Sequence, residues 1–102
     1  MAKIVALYKK PADAAAFDSY YYSTHVPIAK KVPGLRSYQV SAGAVMTSQG
    51  PSPFHLVALL EFDSVEAIQA GLGSPEGAAT AADLANFAQA GVDLLIFDTK
   101  DI

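Results

Sequence analysis

The sequence predicts a single α+β domain, residues 1–102, with the element order βαββαβ and a four-stranded antiparallel sheet. Four stretches rich in Val, Ile, Leu and aromatic residues alternate with two helical regions. A chain of 102 residues with 52% hydrophobic and 17% charged residues is large enough for one core. Right-handed crossovers then place both helical regions on the same face of the sheet.

The first half of the chain is predicted to form a strand, a long helix and a second strand. Residues 2–8 are mostly apolar and are predicted to form the first strand. A helix is expected over residues 13–31, capped by its first residue, kinked at Pro27 and ended by the Pro-Gly pair at 33–34. The second strand is expected over residues 35–46.

The middle of the chain returns through a loop to the third strand. Residues 47–53 are rich in Ser, Gly and Pro and are predicted to be a loop or hairpin connection. Residues 54–62 form the third strand. Asp63 and Glu66 are three apart, as in a capping box, and predict a short helix that stops near Gly71.

The last helix and strand follow a clear start signal. Ser74 is a helix cap and Pro75 suits the first helical position, so an alanine-rich helix is expected to run to about residue 90. Residues 92–99 close the domain as the fourth strand. The second helical region is therefore split in two.

Both faces of the predicted sheet are apolar, which predicts a homodimer. An antiparallel sheet with helices on one side normally alternates apolar and polar residues. In the third strand, however, Val57 and Leu59 lie on the face opposite Phe54, Leu56, Ala58, Leu60 and Phe62, together with His55 and Glu61. The helices cover one face only, so a second copy is expected to cover the other. The alternative is a monomer with an unusually apolar open sheet.

Composition and charge argue against several function classes. A net charge of −3 with only two Lys-Lys pairs does not favour nucleic-acid or anionic-membrane partners. The chain has no cysteine, which removes disulfides, thiolate nucleophiles and cysteine-ligated metals. No stretch of 18 apolar residues and no signal-peptide pattern is found, so a cytoplasmic protein is the default expectation.

One segment, residues 20–38, has a pattern that suggests more than folding. On a helical wheel Phe17, Tyr21, Thr24 and Ile28 share one apolar face, and His25 lies on its border, about 80° from the first of them. Pro27 has no backbone N–H, so the carbonyl of Ser23, four residues earlier, loses its helical hydrogen bond. The helix is therefore expected to loosen around His25.

His25 is the main candidate for acid-base chemistry, because imidazole changes charge near neutral pH. Tyr21, four residues earlier, can stack on or hydrogen-bond to the ring. Tyr20 and Tyr21 can line a cleft between helix and sheet, whereas Tyr22 is expected to reach solvent. The alternative is that His25 only fills the kink and that each tyrosine is an ordinary half-buried core residue.

Other polar residues give weaker signals. Arg36 and Tyr38 share a face of the second strand and can hold a carboxylate or phenolate ligand, although a solvated arginine and a cross-strand tyrosine are the simpler interpretation. His55 is expected to be an edge residue. Glu76 and Asp83 are expected on the solvated face of their helix. Two histidines thirty residues apart are no metal signature, so no metal is expected.

The same segment carries a resemblance to a known family. It covers nearly the whole chain and rests on Lys3–Tyr8, Tyr21, Tyr22, His25–Pro27, Pro33–Arg36, Ser74–Gly77 and Asn86–Ala88. In these residues the chain resembles the EthD family, whose members are associated with ethyl tert-butyl ether degradation. The resemblance implies a ferredoxin-like fold that dimerises into an α+β barrel, as in small monooxygenases, muconolactone isomerases and polyketide cyclases.

The first hypothesis for function is therefore a small oxidoreductase or isomerase with no cofactor, or a loosely bound one. It would act on a small apolar or aromatic, polyketide-like molecule in a helix-sheet pocket. His25 would be the acid or base and Tyr21 its catalytic partner, with Tyr20, Tyr38 and Arg36 binding substrate. The alternatives are a non-catalytic binding or accessory protein on the same barrel, and a haem-handling protein.

Overall fold

The computed structural model describes all residues, 1–102, and confirms the predicted α+β fold. One four-stranded sheet has the order β2-β5-β1-β6, with every neighbouring pair antiparallel. This order is the ferredoxin-like arrangement. A separate two-stranded hairpin is formed by β3 and β4. The strands are β1 (Ala2–Lys9), β2 (Ser37–Val40), β3 (Met46–Thr47), β4 (Gly50–Pro51), β5 (Phe54–Phe62) and β6 (Val92–Asp98).

The helices lie on one face of the sheet and begin at well-defined caps. The Asp13 carboxylate accepts a hydrogen bond from the backbone N–H of Ala16, and Ser74 caps α4 in the same way. The cap of α3 is Ser64 rather than the predicted Asp63, whose carboxylate pairs with an arginine instead. The helical segments are α1 (Ala14–Tyr20), a π-helical turn (Tyr21–His25), α2 (Val26–Ala29), α3 (Val65–Leu72) and α4 (Pro75–Phe87). None of them has both the length and the apolar character that a membrane span requires.

The second strand is shorter than the sequence predicts. It pairs with β5 only over Ser37–Val40, after which the backbone N–H of Ser41 makes a last bond to Val57. Gly43 then adopts a φ of 74°, which turns the chain away from the sheet. Met46, predicted to end this strand, instead begins β3 of the separate hairpin.

The expected kink appears as a π-helical turn before Pro27. The backbone N–H of Val26 bonds to the carbonyl of Tyr21, five residues earlier, so the turn holds one residue more than an α-helical turn. The added residue shifts the buried stripe. Phe17 and Tyr21 are followed in the core by His25 and Ala29, and not by the predicted Thr24 and Ile28, which are only partly buried.

The helix-facing side of the sheet forms the core, and the opposite side is open. In β1 the residues Ala2, Ile4, Ala6 and Tyr8 are buried beneath the helices. The open face is apolar, as predicted, and is formed by Val5, Leu7, Val57, Leu59, Leu95 and Phe97.

His55 does not lie on the open face with Val57, as the simple alternation predicted. The pairing of β1 with β5 shifts register between Tyr8 and Lys9, which marks a bulge at this end of the strand. The His55 ring therefore packs edge-on against Phe17, at 5.1 Å between ring centroids, on the helix side.

Candidate active site

A small cavity of about 80 Å³ lies between the sheet and the helical layer, where the sequence predicted a pocket. Its walls are mainly apolar side chains from β1, β5, α2 and α4. Its polar lining comes from four residues, Tyr8, His25, Tyr38 and Thr80. No lysine, arginine or carboxylate lines it, so the cavity presents phenol and imidazole groups within an apolar enclosure.

His25 is fixed in this cavity by a buried hydrogen bond to Asp83 on α4. Nδ1 of the imidazole lies 2.9 Å from Oδ2 of the carboxylate, and the two residues are only 3% and 6% exposed. The π-helical turn is what brings His25 to face α4, because the added residue rotates it from the border of the helix into the core. The ring also packs on Phe87, 4.6 Å away between centroids.

Asp83 is held by two further donors. The hydroxyl of Tyr20 donates to Oδ1 at 2.6 Å, and the side-chain amide of Asn86 donates to the same oxygen at 2.9 Å. Burial by itself would raise the pKa of Asp83, but the hydrogen bonds from Tyr20, Asn86 and His25 outweigh it and lower the pKa. Asp83 is therefore an anion at neutral pH.

The Asp83 anion determines how His25 carries its proton. Burial lowers the pKa of His25, and the hydrogen bond to Asp83 only partly offsets this. The ring is thus neutral at neutral pH, with the proton on Nδ1 directed to the carboxylate. Nε2 makes no hydrogen bond to the protein, and every fully enclosed polar side-chain atom is paired, so Nε2 retains some exposed surface on a ring that lines the cavity. A free imidazole nitrogen of this kind can accept a proton from a ligand.

Three tyrosines surround this part of the core. The Tyr21 ring lies 5.5 Å from the His25 ring between centroids, and Tyr8 and Tyr38 line the same cavity as His25. The hydroxyls of Tyr21 and Tyr38 are 2.6 Å apart and share a hydrogen bond. Tyr8 contacts Tyr21 edge to face, at 5.5 Å between centroids. Burial, followed by the neighbouring phenols, raises the pKa of Tyr8 and Tyr21, and burial raises that of Tyr38. All three are therefore neutral hydrogen-bond donors.

The structure brings most of the sequence-predicted site residues together. His25 and Tyr38 line the cavity. Tyr21 lies directly behind Tyr38, fully buried, and reaches the cavity only through the other hydroxyl. Tyr20 lies behind Asp83 and borders a groove on the outer side of α1 and α4. Tyr22 is exposed, as expected.

Arg36 is not part of this group. It lies just before β2 on the surface, where its guanidinium makes two hydrogen bonds, of 3.0 and 2.8 Å, to the carboxylate of Asp63. This exposed pair with a neighbouring loop keeps the side chain out of the cavity, away from Tyr38, with which it was expected to act.

Asp83 is the site residue that the sequence analysis assigned wrongly. It was expected on the solvated face of α4, which holds for Glu76 but not for Asp83. A signal was present, because Asp83 lies three residues after Thr80 and four before Phe87 and so falls on the inward face of its helix. A carboxylate on that face requires a buried partner.

A second histidine-carboxylate pair lies outside the cavity. Nε2 of His55 is 2.7 Å from Oδ1 of Asp18, in a partly exposed groove between α1 and the β3-β4 hairpin. No group of three or more His, Cys, Asp or Glu side chains comes together anywhere in the chain.

Several solved proteins share this fold, and some of them are also similar in sequence. A solved EthD family protein from Bacillus halodurans is 35% identical, with a TM-score of 0.89 over 98% of this chain and 99% of its own. An EthD-like protein from Ralstonia eutropha is 25% identical, with a TM-score of 0.71 over 95% of this chain and 89% of its own. The cofactor-independent oxygenase SnoaB from Streptomyces nogalater is 15% identical and shares the fold, with a TM-score of 0.67 over 99% of this chain and 94% of its own.

The sequence comparisons give the family. An uncharacterised 11.0 kDa protein from the thcB-thcC intergenic region of Rhodococcus erythropolis is 37% identical over 100% of this chain and 98% of its own length. The model of the EthD domain matches residues 9–91. The chain therefore belongs to the EthD family.

Proposed function

We propose that this protein is an enzyme that removes a proton from a small aromatic or polyketide-like molecule in the helix-sheet cavity, as an isomerase or an oxidoreductase that needs no cofactor. The observation that carries the proposal is the buried His25-Asp83 pair, whose histidine lines an apolar cavity and keeps its Nε2 free of hydrogen bonds to the protein. A neutral imidazole held by a buried carboxylate is suited to general-base catalysis.

The first step is a proton transfer. Nε2 of His25 accepts the proton from an acidic C–H or O–H of the substrate, and Asp83 stabilises the imidazolium that results. The negative charge on the substrate then develops on an oxygen close to the tyrosines. Tyr38 and Tyr8 donate hydrogen bonds to that oxygen, and Tyr21 holds Tyr38 in place through the shared hydrogen bond.

Two outcomes are open to the resulting anion. In an isomerisation, His25 returns the proton to a different atom of the same molecule. In an oxygenation, the carbanion adds dioxygen, a C–O bond forms, and His25 returns the proton to the terminal oxygen to give a hydroperoxide. The second outcome is supported by two proteins that share this fold at 15% identity, the cofactor-independent oxygenase SnoaB and an antibiotic biosynthesis monooxygenase.

We propose in addition that two copies pack their open sheet faces together. Val57 and Leu59 at the centre of that face are half-buried in one chain and have no covering element, and structural relatives include proteins described as dimeric. Sedimentation of the protein at micromolar concentration is expected to give a dimer mass, and Leu59→Lys, which places charge at the centre of this face, is expected to give a monomer. A wild-type monomer contradicts this part of the proposal.

A substrate screen tests the catalytic role. The purified protein is incubated with anthrones, catechols, quinones and lactones, with and without oxygen, and product formation and oxygen consumption are followed. With an active compound, His25→Gln is expected to lower the rate by about two to four orders of magnitude. His55→Gln is the matched control, because it removes the other histidine-carboxylate pair and leaves the cavity unchanged.

The result also decides between catalysis and binding. Turnover at the wild-type rate by folded His25→Gln refutes the proposed role of the histidine. Binding of several of these compounds without any turnover supports the alternative, a non-catalytic protein that carries or senses a small apolar molecule.

A further inference from the structure

The helix-facing side of β6 carries an apolar surface that the helices do not cover. Leu94 pairs with Ala6, and Ile96 with Ile4, so both side chains lie on the face that is buried elsewhere in the sheet. Leu94 is nevertheless 51% exposed, and Ile96 is exposed as well. Leu72, at the end of α3, is a third exposed apolar residue here. These three residues, Leu72, Leu94 and Ile96, are called the β6 shelf.

The β6 shelf is continuous with the cavity of His25. Leu72 and Leu94 line the cavity while remaining exposed, so they form its mouth. Tyr8 and His25, by contrast, are almost completely enclosed and form its inner end. The cavity therefore runs from polar groups inside to an apolar surface outside.

The size of the cavity limits what it can hold. Its volume of about 80 Å³ is roughly half of the ~150 Å³ of an apolar cavity that accommodates benzene. A substituted ring therefore cannot be enclosed completely. Only its reactive end fits beside His25, and the remainder of the molecule must extend through the mouth.

We propose that the β6 shelf binds the apolar body of the substrate, and that the substrate is a neutral, amphiphilic phenol or enol with an alkyl or aryl extension. The head-group part of this assignment rests on the proposed function. The ionisable hydroxyl lies against His25 and the tyrosines, and the extension lies on Leu94 and Ile96. A carboxylate at the head would find no cation, since no lysine or arginine lines the cavity.

Adjacent residues of β6 allow a matched test. Leu94 and Leu95 are the same residue type with nearly equal exposure, 51% and 49%, but they point to opposite faces of the sheet. Leu94→Gln removes apolar surface from the shelf, whereas Leu95→Gln alters the open face. Both sites are exposed in a single chain, so neither change is expected to prevent folding. Because Leu95 lies on the proposed dimer face, the oligomeric mass of each variant is measured alongside its binding. Leu72→Gln is a second shelf variant.

The experiment measures equilibrium binding of para-alkylphenols, from methyl to hexyl, by calorimetry. Complete burial of a methylene raises the affinity roughly fourfold. A chain that lies on the shelf is buried on one side only, so the wild-type affinity is expected to rise about twofold with each methylene. Leu94→Gln and Leu72→Gln are expected to flatten this dependence, and Leu95→Gln to preserve it.

Other results overturn the inference in distinguishable ways. Wild-type affinity that is independent of chain length refutes the role of the shelf and leaves the proposed function standing. A change in oligomeric mass caused by Leu94→Gln shows that the shelf is an interface between copies. Failure of every phenol to bind refutes this inference, whereas the proposed function fails separately, if none of the anthrones, catechols, quinones and lactones is turned over.

Discussion

The imidazole of His25 and the carboxylate of Asp83 meet at 2.9 Å although 58 residues of sequence separate them. The bond joins the π-helical turn to α4 and closes the helical layer over the sheet. It also fixes the proton of the imidazole on Nδ1, the nitrogen that faces the carboxylate. The same contact therefore serves the packing of the fold and the proposed chemistry.

Replacing Asp83 by asparagine is expected to reverse the tautomer of His25. The side-chain amide of asparagine donates to Nδ1, so the proton moves to Nε2 and the ring can no longer accept one from the cavity. Nitrogen chemical shifts of the imidazole report the change directly, and the rate with an active substrate is expected to fall at least a hundredfold. Asp18→Asn, which alters the partner of His55, is the control. An unchanged His25 tautomer in Asp83→Asn contradicts the prediction.

Tyr20 and its neighbour Tyr22 are expected to respond differently to the loss of their hydroxyls. Tyr20→Phe removes one of the donors to Asp83, which raises the pKa of that carboxylate and moves acid unfolding to higher pH. Tyr22→Phe removes an exposed hydroxyl that has no such partner. Circular dichroism followed during acid titration compares the two variants. Coincident acid transitions would mean that Tyr20 does not stabilise the Asp83 anion.

The free energy of unfolding is expected to fall as the pH decreases below about 6.5, the ordinary value for histidine. Burial lowers the pKa of His25 in the folded state, so the unfolded chain takes up a proton there that the folded chain does not. The free energy of unfolding continues to fall until the pH reaches the lowered pKa of His25. Above neutral pH, His25 causes no change in it. Urea unfolding at several pH values measures this decrease, and His25→Gln should show a flatter profile below a pH of about 6.5. Parallel profiles for the two proteins argue against a neutral buried His25.

Gly77→Ala is expected to destabilise the protein by about 1–3 kcal/mol, because two helices approach closely at this glycine. A Cβ there would overlap the carbonyl oxygen of Gly71 and come within 2.6 Å of Cα of Leu72. Gly73→Ala is the control, since its Cβ would come no closer than 3.2 Å to another atom and its φ of −78° suits alanine. Thermal unfolding distinguishes them. Equal stability of the two variants would show that α3 and α4 can separate at no cost.

Much of the fold follows from local sequence patterns. The strands β1, β5 and β6 are long apolar runs, and Ser74 with Pro75 begins α4 as their capping chemistry predicts. The short β2 was harder to predict, because the end of a strand depends on where its partner stops pairing. The choice of Ser64 over Asp63 as a cap has a similar origin, since Arg36 is brought to the aspartate only by the folded chain.

The site was only half visible in the sequence. His25, Tyr20 and Tyr21 lie in one helical segment, so their proximity follows from helical spacing. Tyr8 reaches the cavity from β1, and the sequence did not single it out as a site residue. Asp83 comes from another helix, and no local pattern shows that α4 packs against the π-helical turn. The helical wheel also misplaced His25 at the border of the apolar face, because it assumes a constant turn, and a single added residue rotates everything that follows.

That added residue also bears on how the site arose. A π-helical turn holds one residue more than an α-helical turn, so a single inserted residue is enough to rotate the side chains that follow it. We expect relatives that lack the residue to show a one-position gap within 21–25 and to place a different side chain opposite α4. Members of the family could then be divided by ancestry into those that inherited this arrangement and those that diverged before it.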